Sequence, residues 1–494
     1  MYFYIVVAEY MALIYFIMEK LIGRETEKEI LNSALQSDEP ELIAVYGRRR
    51  VGKTFLIRQV FKSNLIFEFS GVHHAPANEQ LRNFRDTLAN NISFKISLAV
   101  PENWTEAFKM LINFATPLLK KQKVVIFFDE FPWLSSAKSG FMSAFEYFWN
   151  SWGTKQPNLI VTICGSAASW MIQKVVNNKG GLHNRITKRI RLIPFTLRET
   201  AAYLNSRSIL LDQYQILQIY MAFGGIPQYL KEIKKGESAA QAIDRVCFTK
   251  DGLLQNEFDN LYYSLFDTAD KHISIVKALA SKASGLTRKD IILACSLSSG
   301  GTTTKILDEL IESGFVSAYV PFEKNSRDII YKLSDEFSRF YLKFIDNSRA
   351  GGQGTWVKLS VSPSWKSWSG TAFESICLKH SKEIKVALGI SGVYTEESAW
   401  RSIGNENMKG AQVDLLLDRQ DFCISICEMK FSNTVFTIDK TYALALQNKL
   451  DVFKEQTKSK KTLFLTMVTA FGLKDNIYKS GLVQNEITMS DLFV

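Results

Sequence analysis

The chain has 494 residues, a hydrophobic share of 46% and a formal net charge of +10. This length exceeds one ordinary core and indicates about three domains, while the composition excludes an intrinsically disordered chain. The charge weakly favours an anionic partner such as nucleic acid, although plain cytosolic proteins also reach it. The six cysteines form no C-x-x-C pair, which disfavours zinc and suits reduced thiols in a cytoplasmic protein.

The first 17 residues, MYFYIVVAEYMALIYFI, are apolar except for Glu9. The segment is short for a spanning helix, and it lacks a basic start and a small-residue cleavage site. A charged amphipathic pattern begins directly after Met18. We therefore interpret residues 1–18 as an extension from a start codon assigned too early and expect no stable membrane association. A real membrane anchor is the alternative.

Residues 19–194 alternate helical stretches with apolar runs, which predicts an α/β core. Runs such as KVVIFF and LIVTIC lack polar alternation, so they suit strands buried on both faces of a parallel sheet. The predicted helices are Thr26–Leu35 and Thr54–Phe61, and the predicted strands are Glu41–Tyr46, Leu65–Phe69, Lys123–Phe128 and Leu159–Cys164.

A glycine-rich loop, GRRRVGKT at residues 47–54, matches the phosphate-binding pattern G-x-x-x-x-G-K-[ST] between a strand and a helix. Its glycines let backbone N–H groups turn toward the phosphates. Lys53 would supply a charge to the β- and γ-phosphates, and the Thr54 hydroxyl would bind Mg²⁺. The predicted nucleotide-binding residues of this loop are Gly47, Arg48, Arg49, Arg50, Val51, Gly52, Lys53 and Thr54.

A second motif, VVIFFDE, ends an apolar run in two carboxylates. Asp129 is predicted to hold Mg²⁺, directly or through water, and Glu130 to polarise the attacking water. Ser166, after the run LIVTICG, could sense the γ-phosphate, but a helix N-cap is nearly as good an interpretation. Arg185 is a candidate for stabilising charge in the transition state.

Helices follow after Pro194. Residues 195–268 are predicted to form a helical lid, interrupted by GGIP at residues 224–227. Residues 269–346 predict three helices and two strands, Phe315–Val320 and Asp328–Leu333, the pattern of a winged helix-turn-helix. Such a module suggests DNA binding, but its presumed recognition helix is more acidic than basic, so a structural or regulatory role stays open.

The C-terminal quarter begins with residues 347–369, whose Gly, Ser and Trp content predicts a partly packed linker. Residues 370–494 predict a further α/β block, with a helix over Gly370–Lys379 that presents Glu374. Two strands follow, AQVDLLLD with Asp414 and FCISICEMKF with Glu428 and Lys430. An offset of 428 − 414 = 14 residues leaves room for a hairpin, and the alternation of a strand puts Glu428 and Lys430 on one face.

The motif order resembles a family of prokaryotic AAA-like, archaeal-type ATPases related to the STAND NTPases and the origin-recognition ATPases. The shared features are GRE at 23–25, the phosphate-binding loop, FFDEFPWL, CGSAASWM, the NRIT stretch and GGIPQYL, and they cover about residues 19–345. The resemblance implies ATP and Mg²⁺ as cofactors and places Gly23, Arg24 and Pro227 near the nucleotide base. The arginine finger typical of the family cannot be assigned clearly to Arg185.

Residues 370–494 resemble the PD-(D/E)xK nuclease, or restriction-endonuclease-like, fold. The resemblance implies that Asp414 and Glu428 chelate Mg²⁺, that Lys430 orients water, and that Glu374 completes the site. The motif is degenerate, so a fold kept for packing or DNA contact without cleavage is the alternative.

The sequence therefore favours an ATP-binding, ATP-hydrolysing switch or motor joined to a nuclease-like domain that acts on DNA. A different class remains open: an ATP-dependent signalling or scaffold protein whose C-terminal block only binds a partner. The pathway, the choice between a DNA and a protein partner, and a homo-oligomeric state are not decided by the sequence.

Overall fold

The computed structural model describes residues 20–92, 98–136, 138–176, 180–266, 268–325, 327–346, 352–404 and 410–494. The predicted extension, residues 1–18, lies outside this range and its interpretation stays a prediction. The chain divides into two compact units. Unit 1 comprises the chain through Tyr46 together with Gly52–Gly165 and Trp170–Leu192, and unit 2 comprises Gly47–Val51, Ser166–Ser169 and Ile193–Val494.

Unit 1 is built on a five-stranded parallel sheet in the order β2-β3-β4-β1-β5. Its strands are β1 (Glu41–Tyr46), β2 (Leu65–Ser70), β3 (Val124–Asp129), β4 (Leu159–Gly165) and β5 (Lys188–Arg191). The helices along this part of the chain are α1 (Glu25–Gln36), α2 (Lys53–Val60), α3 (Ala77–Asn91), α4 (Trp104–Leu119), α5 (Phe131–Leu134), α6 (Phe141–Ser151) and α7 (Ala168–Met171). The first four strands and two helices lie where the sequence predicts them, within about two residues.

Every residue of β3 and β4 is buried, which explains why their sequences lack polar alternation. Aromatic side chains of α3, α4 and α6 pack beside the sheet, and the ring centroids of Trp104 and Phe141 are 4.8 Å apart. Such packing fixes the strands firmly. Because parallel strands end at one sheet edge, the carboxyl ends of β1 and β3 share that edge.

Unit 2 begins with helices, as predicted for residues 195–268. They are α8 (Leu197–Ser206), α9 (Gln213–Phe223), α10 (Pro227–Leu230), α11 (Ala239–Phe248) and α12 (Glu257–Tyr263). The predicted break at 224–227 separates α9 from α10. A Cβ at Gly225 would lie 1.9 Å from the carbonyl oxygen of Phe195, so this close approach of two backbones requires glycine.

The next part of unit 2, which we call the three-helix module, has α13 (Ala269–Ala280), α14 (Arg288–Ala294) and α15 (Gly301–Glu312). Its small antiparallel sheet has the order β6-β8-β7, from β6 (Leu286–Thr287), β7 (Val316–Tyr319) and β8 (Ile330–Leu333). The three helices and the β7–β8 pair lie where the sequence predicts them, and β6 was not anticipated. Helix α16 (Glu336–Phe340) follows.

The stretch predicted as a linker is largely helical, with α17 at Thr355–Leu359 and α18 at Pro363–Lys379. Helix α18 therefore begins at Pro363, seven residues earlier than the predicted start at Gly370. Ser362 caps its N-terminus and Pro363 occupies the first turn. Tryptophan packing stabilises these two helices, because the rings of Trp356 and Trp365 lie 5.1 Å apart in a buried aromatic cluster.

The C-terminal block continues with α19 (Ser381–Ala387), α20 (Lys440–Thr457) and α21 (Ile477–Leu482) around a mixed sheet in the order β13-β12-β11-β10-β9. The strands are β9 (Thr395–Ser402), β10 (Ala411–Arg419), β11 (Cys423–Lys430), β12 (Thr462–Thr469) and β13 (Asn485–Thr488). Strands β10 and β11 form the predicted antiparallel hairpin, while β11, β12 and β13 run parallel.

Candidate functional site

The phosphate-binding loop connects the end of β1 with the start of α2. Its backbone has positive φ at Gly47 (146°), Arg50 (73°) and Gly52 (91°). Glycine adopts these conformations at low cost, which explains two of the residues that the motif requires. Lys53 is the first residue of α2 and is buried, so its ammonium group is held within the fold rather than in solvent.

Thr54 and Asp129, predicted as the Mg²⁺ ligands, lie next to each other in unit 1. The Thr54 hydroxyl donates a 2.7 Å hydrogen bond to Oδ2 of Asp129, and the Glu130 backbone N–H donates one of 2.9 Å to Oδ1. Glu130 has a left-handed backbone, with φ of 44°. This turn stops β3 and begins α5. A hydroxyl and a carboxylate at one strand end form an oxygen donor set that fits Mg²⁺.

Cys164, near the end of β4, is a neighbour of this site that the sequence analysis did not single out. Burial raises the pKa of its thiol well above the usual range, and the thiol donates a hydrogen bond to Asp129. Asp129 and Glu130 raise this pKa further while Lys53 lowers it, so all three charges lie close to the thiol. The only sequence signal was its place in LIVTIC, which continues a strand adjacent to β3.

Two arginines of the loop form ion pairs with carboxylates. Both arginines and both carboxylates belong to unit 2. Arg48 pairs with Asp335, both side chains being 2% exposed, and the Arg48 guanidinium lies 4.7 Å from the centre of the Phe315 ring. Arg50 pairs with Glu257, which also accepts a 2.9 Å hydrogen bond from the Tyr229 hydroxyl. Burial alone would raise the pKa of Asp335, but Arg48 and Ser338 hold it below its ordinary value.

The remaining predicted nucleotide residues lie in varied settings. Arg49 is half-buried and Val51 is buried in the loop, and Ser166 is buried directly after β4. Pro227 begins α10, Arg185 is exposed, and Arg24 is buried at the start of α1 after Gly23, whose φ is 65°. Their roles at a nucleotide stay predictions.

In the C-terminal block, the hairpin register pairs Leu415 with Cys427, one residue inward from Asp414 and Glu428. Asp414 and Glu428 are thus the next residues beyond this pair on the two strands of the hairpin, and their role as a metal site stays a prediction. Lys430 lies on the same strand face as Glu428, with 3.2 Å between its Nζ and Oε1 of Glu428.

Glu428 already has several internal partners. The Tyr442 hydroxyl donates a 2.8 Å hydrogen bond to its Oε1, and the Lys449 ammonium donates to Oε2. Burial alone would raise the pKa of Glu428, but Lys449 and Lys430 hold it below its ordinary value. Tyr442 and Lys449 come from α20, whose contribution the sequence analysis missed because nothing local to α20 indicated a pairing with β11.

Glu374 and Asp414 form a separate pair that shares a lysine. Nζ of Lys332 lies 3.3 Å from Oε1 of Glu374 and 3.8 Å from Oδ1 of Asp414. Burial, followed by the charge of Asp414, raises the pKa of Glu374 to about 7, although Lys332 and Arg339 counteract this. Asp414 also accepts a 2.6 Å hydrogen bond from the Gln412 amide. Lys332 belongs to β8 and was not predicted to approach these carboxylates.

The predicted divalent metal site of the C-terminal block does not fit this arrangement as it stands. Each of its carboxylates faces at least one ammonium group, which supplies the positive charge that a cation would bring. Within the described ranges, no cluster of three or more His, Cys, Asp or Glu side chains is arranged to hold a metal ion.

Across the same ranges, no helix has the length and apolarity needed to cross a membrane.

The strand–loop–helix at residues 41–60, with the Thr54–Asp129 contact at the edge of a parallel sheet, defines a P-loop nucleoside triphosphatase site. Residues 21–233 match the model of a family described as an ATPase domain predominantly from Archaea. This part of the chain is therefore similar to archaeal-type ATPase domains, and its sheet, loop and Thr54–Asp129 contact are those of a P-loop ATPase.

Similar proteins are also found over longer stretches. An uncharacterized protein of Methanocaldococcus jannaschii is 25% identical over 389 residues, which are 78% of this chain and 82% of the relative. The Walker-type ATPase paby2304 of Pyrococcus abyssi has a similar structure, with a TM-score of 0.50, 18% identity and coverage of 66% of this chain and 97% of its own. The ORC2 protein of Aeropyrum pernix aligns with a TM-score of 0.42, 15% identity and coverage of 70% and 98%.

Proposed function

We propose that the protein is an ATP-driven switch in which hydrolysis at the phosphate-binding loop governs a nuclease-like C-terminal block that acts on DNA. The ATPase half rests on one observation above the others, the 2.7 Å hydrogen bond between Thr54 and Asp129. These two oxygens come from separate motifs, 75 positions apart, and they are the donors that Mg²⁺ bound to ATP requires.

The roles of the loop residues follow from their chemistry. Lys53 and the loop N–H groups bind the β- and γ-phosphates, and the N-terminus of α2 adds a favourable dipole. Thr54 and Asp129 would hold Mg²⁺, which when bound neutralises charge on the phosphates. Glu130 accepts a proton from, and orients, the water that attacks the γ-phosphate. Ser166 and Arg185 remain the proposed γ-phosphate sensor and charge-stabilising arginine.

Coupling to the rest of the chain is proposed to run through the loop arginines. The Arg48–Asp335 and Arg50–Glu257 pairs are buried on at least one side, so separating either pair would leave an uncompensated charge in the fold. A change in the loop on nucleotide binding should therefore move Asp335 with it rather than break the pair. Asp335 lies two residues after β8, which ties the loop to the three-helix module.

The nuclease-like part of the proposal is supported by the β10–β11 hairpin, where Asp414 and Glu428 follow directly on the Leu415–Cys427 pair, and by Lys332, which lies within 4 Å of both Asp414 and Glu374. We propose that the three-helix module is a winged helix with a regulatory rather than a groove-reading role. Glu309 on α15 accepts a 2.8 Å hydrogen bond from the buried His272, and this acidic face suits packing better than phosphate contact.

A second function is favoured by the lysines at the carboxylates. Because ammonium groups lie within 4 Å of Glu374, Asp414 and Glu428, the C-terminal block would also suit a non-catalytic role in which it binds a partner. The chain would then be an ATP-dependent signalling or scaffold protein. Metal-dependent cleavage separates the two functions.

The test is an ATPase assay of the full chain with and without single- and double-stranded DNA. Lys53→Ala should bring ATP binding and turnover to background, while Lys62→Ala, an exposed lysine just after α2, should behave like the parent. Turnover by Lys53→Ala equal to the parent would remove the ATPase mechanism. Plasmid incubation with ATP and Mn²⁺ completes the test, since ATPase activity without cleavage would favour the partner-binding function.

A further inference from the structure

Lys332 lies where a cation would be expected at the C-terminal carboxylates. Its Nζ is within 4 Å of both Glu374 and Asp414, and its side chain is only 11% exposed. Its Nζ also lies over the Tyr319 ring, 5.9 Å from the ring centre. The ammonium group is therefore fixed between the two carboxylates rather than resting on the surface.

A lysine and a divalent cation are alternatives at such a place. With both carboxylates ionised, as they are above pH 7, the two carboxylates and one ammonium carry a net charge of −1, and adding a divalent cation would turn this into a net +1 with the two cations in contact. Repulsion between cations is strong where water is largely excluded. On this charge count, an ammonium group held between the two carboxylates opposes the entry of a divalent cation.

The lysine and the carboxylates come from different parts of unit 2. Lys332 belongs to β8 of the three-helix module, whereas Glu374 is on α18 and Asp414 on β10. The contact therefore depends on where β8 packs. By contrast, Lys430 and Lys449, the partners of Glu428, belong to the C-terminal block itself and accompany it in any rearrangement.

β8 also lies close in sequence to Asp335, the residue that binds Arg48 of the phosphate-binding loop. It ends at Leu333, and Asp335 then binds Arg48, with both side chains buried. Displacement of the loop would thus act on the backbone that carries Lys332, three residues before Asp335. Arg339 connects β8 with α18, because it donates one hydrogen bond to the carbonyl of Leu333 on β8 and another, of 2.9 Å, to the carbonyl of Thr371 on α18.

We propose that Lys332 is an autoinhibitory internal cation, which keeps the Glu374–Asp414 pair closed to divalent metal until the three-helix module shifts in response to nucleotide. This inference rests on the proposed function, because it takes these carboxylates to be part of the metal site of the C-terminal block. It adds what holds that site inactive and which element releases it.

The experiment measures Mn²⁺ binding to the nucleotide-free full chain by titration calorimetry. Lys332→Met keeps the aliphatic stem and removes the charge, and it should bind Mn²⁺ roughly 5- to 150-fold more tightly than the parent, the usual range of a coupling between sites. Lys332→Arg should resemble the parent. Lys282→Met, an exposed lysine of the same module, is the matched control and should have no effect.

The outcomes separate the inference from the function on which it rests. The gain should disappear in Lys332→Met/Asp414→Asn, which locates the metal at this pair. Equal binding by the parent and Lys332→Met, lost in Asp414→Asn, would keep the metal site and overturn autoinhibition. Absence of binding in every variant at millimolar Mn²⁺ would overturn both.

A second measurement needs no substitution and serves if Lys332→Met fails to fold. Lysine acetylation of the parent, followed by mass spectrometry, reports how accessible each ammonium group is. A non-hydrolysable ATP analogue together with Mn²⁺ should accelerate modification of Lys332 several-fold and leave Lys282 unchanged. An unchanged rate at Lys332 would contradict its release.

Discussion

Asp129 of unit 1 and Glu428 of the C-terminal block both lie near the end of a buried strand, but they differ in their hydrogen-bond donors. Asp129 accepts hydrogen bonds from a hydroxyl, at Thr54, and from a backbone N–H. Glu428 accepts from a hydroxyl, at Tyr442, but also from the ammonium of Lys449, with Lys430 at 3.2 Å. Neutral donors orient a carboxylate and leave its charge available to an incoming cation, whereas ammonium groups already neutralise it.

A carboxylate at a strand end is therefore not sufficient to predict a metal site. The two sites differ in what bonds the carboxylate. At the phosphate site a hydroxyl and a backbone N–H bond to Asp129, with Lys53 and Arg58 nearby. In the C-terminal block, ammonium groups bond directly to the carboxylates.

The largest effect is expected at the phosphate site. Glu130→Gln should still bind ATP but lower turnover by roughly 10²–10⁴-fold, the usual contribution of a general base. Nucleotide binding by fluorescence and phosphate release by a coupled assay measure the two parts. Glu79→Gln, an exposed glutamate on α3, is the control. Unchanged turnover would show that Asp129 and Glu130 are not a catalytic pair.

The next effect concerns stability at the pair that joins the loop to the three-helix module. Asp335→Asn leaves the buried Arg48 without its counter-charge and should lower the free energy of unfolding by about 3–5 kcal/mol. Asp346→Asn, at an exposed aspartate that lies 3.9 Å from Lys277, should cost less than about 1 kcal/mol. Denaturant unfolding of both variants measures the difference. Similar values for both would argue against Arg48–Asp335 as a mechanical link.

Glu374 should make the stability of the C-terminal block depend on pH. The pKa of Glu374 is raised to about 7, so its contribution to stability is present below its ordinary pKa and is lost as the pH rises through 7. Glu374→Gln should therefore gain stability relative to the parent between pH 5 and pH 8, on the order of 2–3 kcal/mol. Thermal unfolding across this range, with the exposed Glu455→Gln as control, is the measurement. A constant difference would mean that Lys332 keeps Glu374 ionised throughout.

The smallest effect is expected at Lys430, whose side chain is 38% exposed. Lys430→Met should cost less than about 1 kcal/mol of stability, whereas Lys449→Met removes a charged hydrogen bond to a buried carboxylate and should cost about 1.5–3 kcal/mol. If the block cleaves DNA, Lys430→Met should nevertheless lose cleavage. A reversed order in stability would show that Lys430, not Lys449, is the main structural partner of Glu428.

Much of the fold could be predicted because its signals are local. The buried strands β1, β3 and β4 follow from apolar runs, the loop from its glycines and lysine, and the β10–β11 hairpin from the 14-residue offset between Asp414 and Glu428. The helices α17 and the start of α18 were not predicted within the linker, because small residues such as its Gly and Ser are typical of loops. The expected packing of Trp356, Trp365 and Trp368 is present.

Residue type and spacing along one strand or loop are sufficient to select candidate phosphate- and metal-binding residues. The charged partners of these residues depend on the packing of the whole chain. Arg48 and Asp335 are 287 positions apart, and Lys332 and Glu374 are 42 apart on elements of different modules. No local pattern encodes such pairs, because they exist only when separately formed elements pack and exclude the water that would otherwise screen their charges.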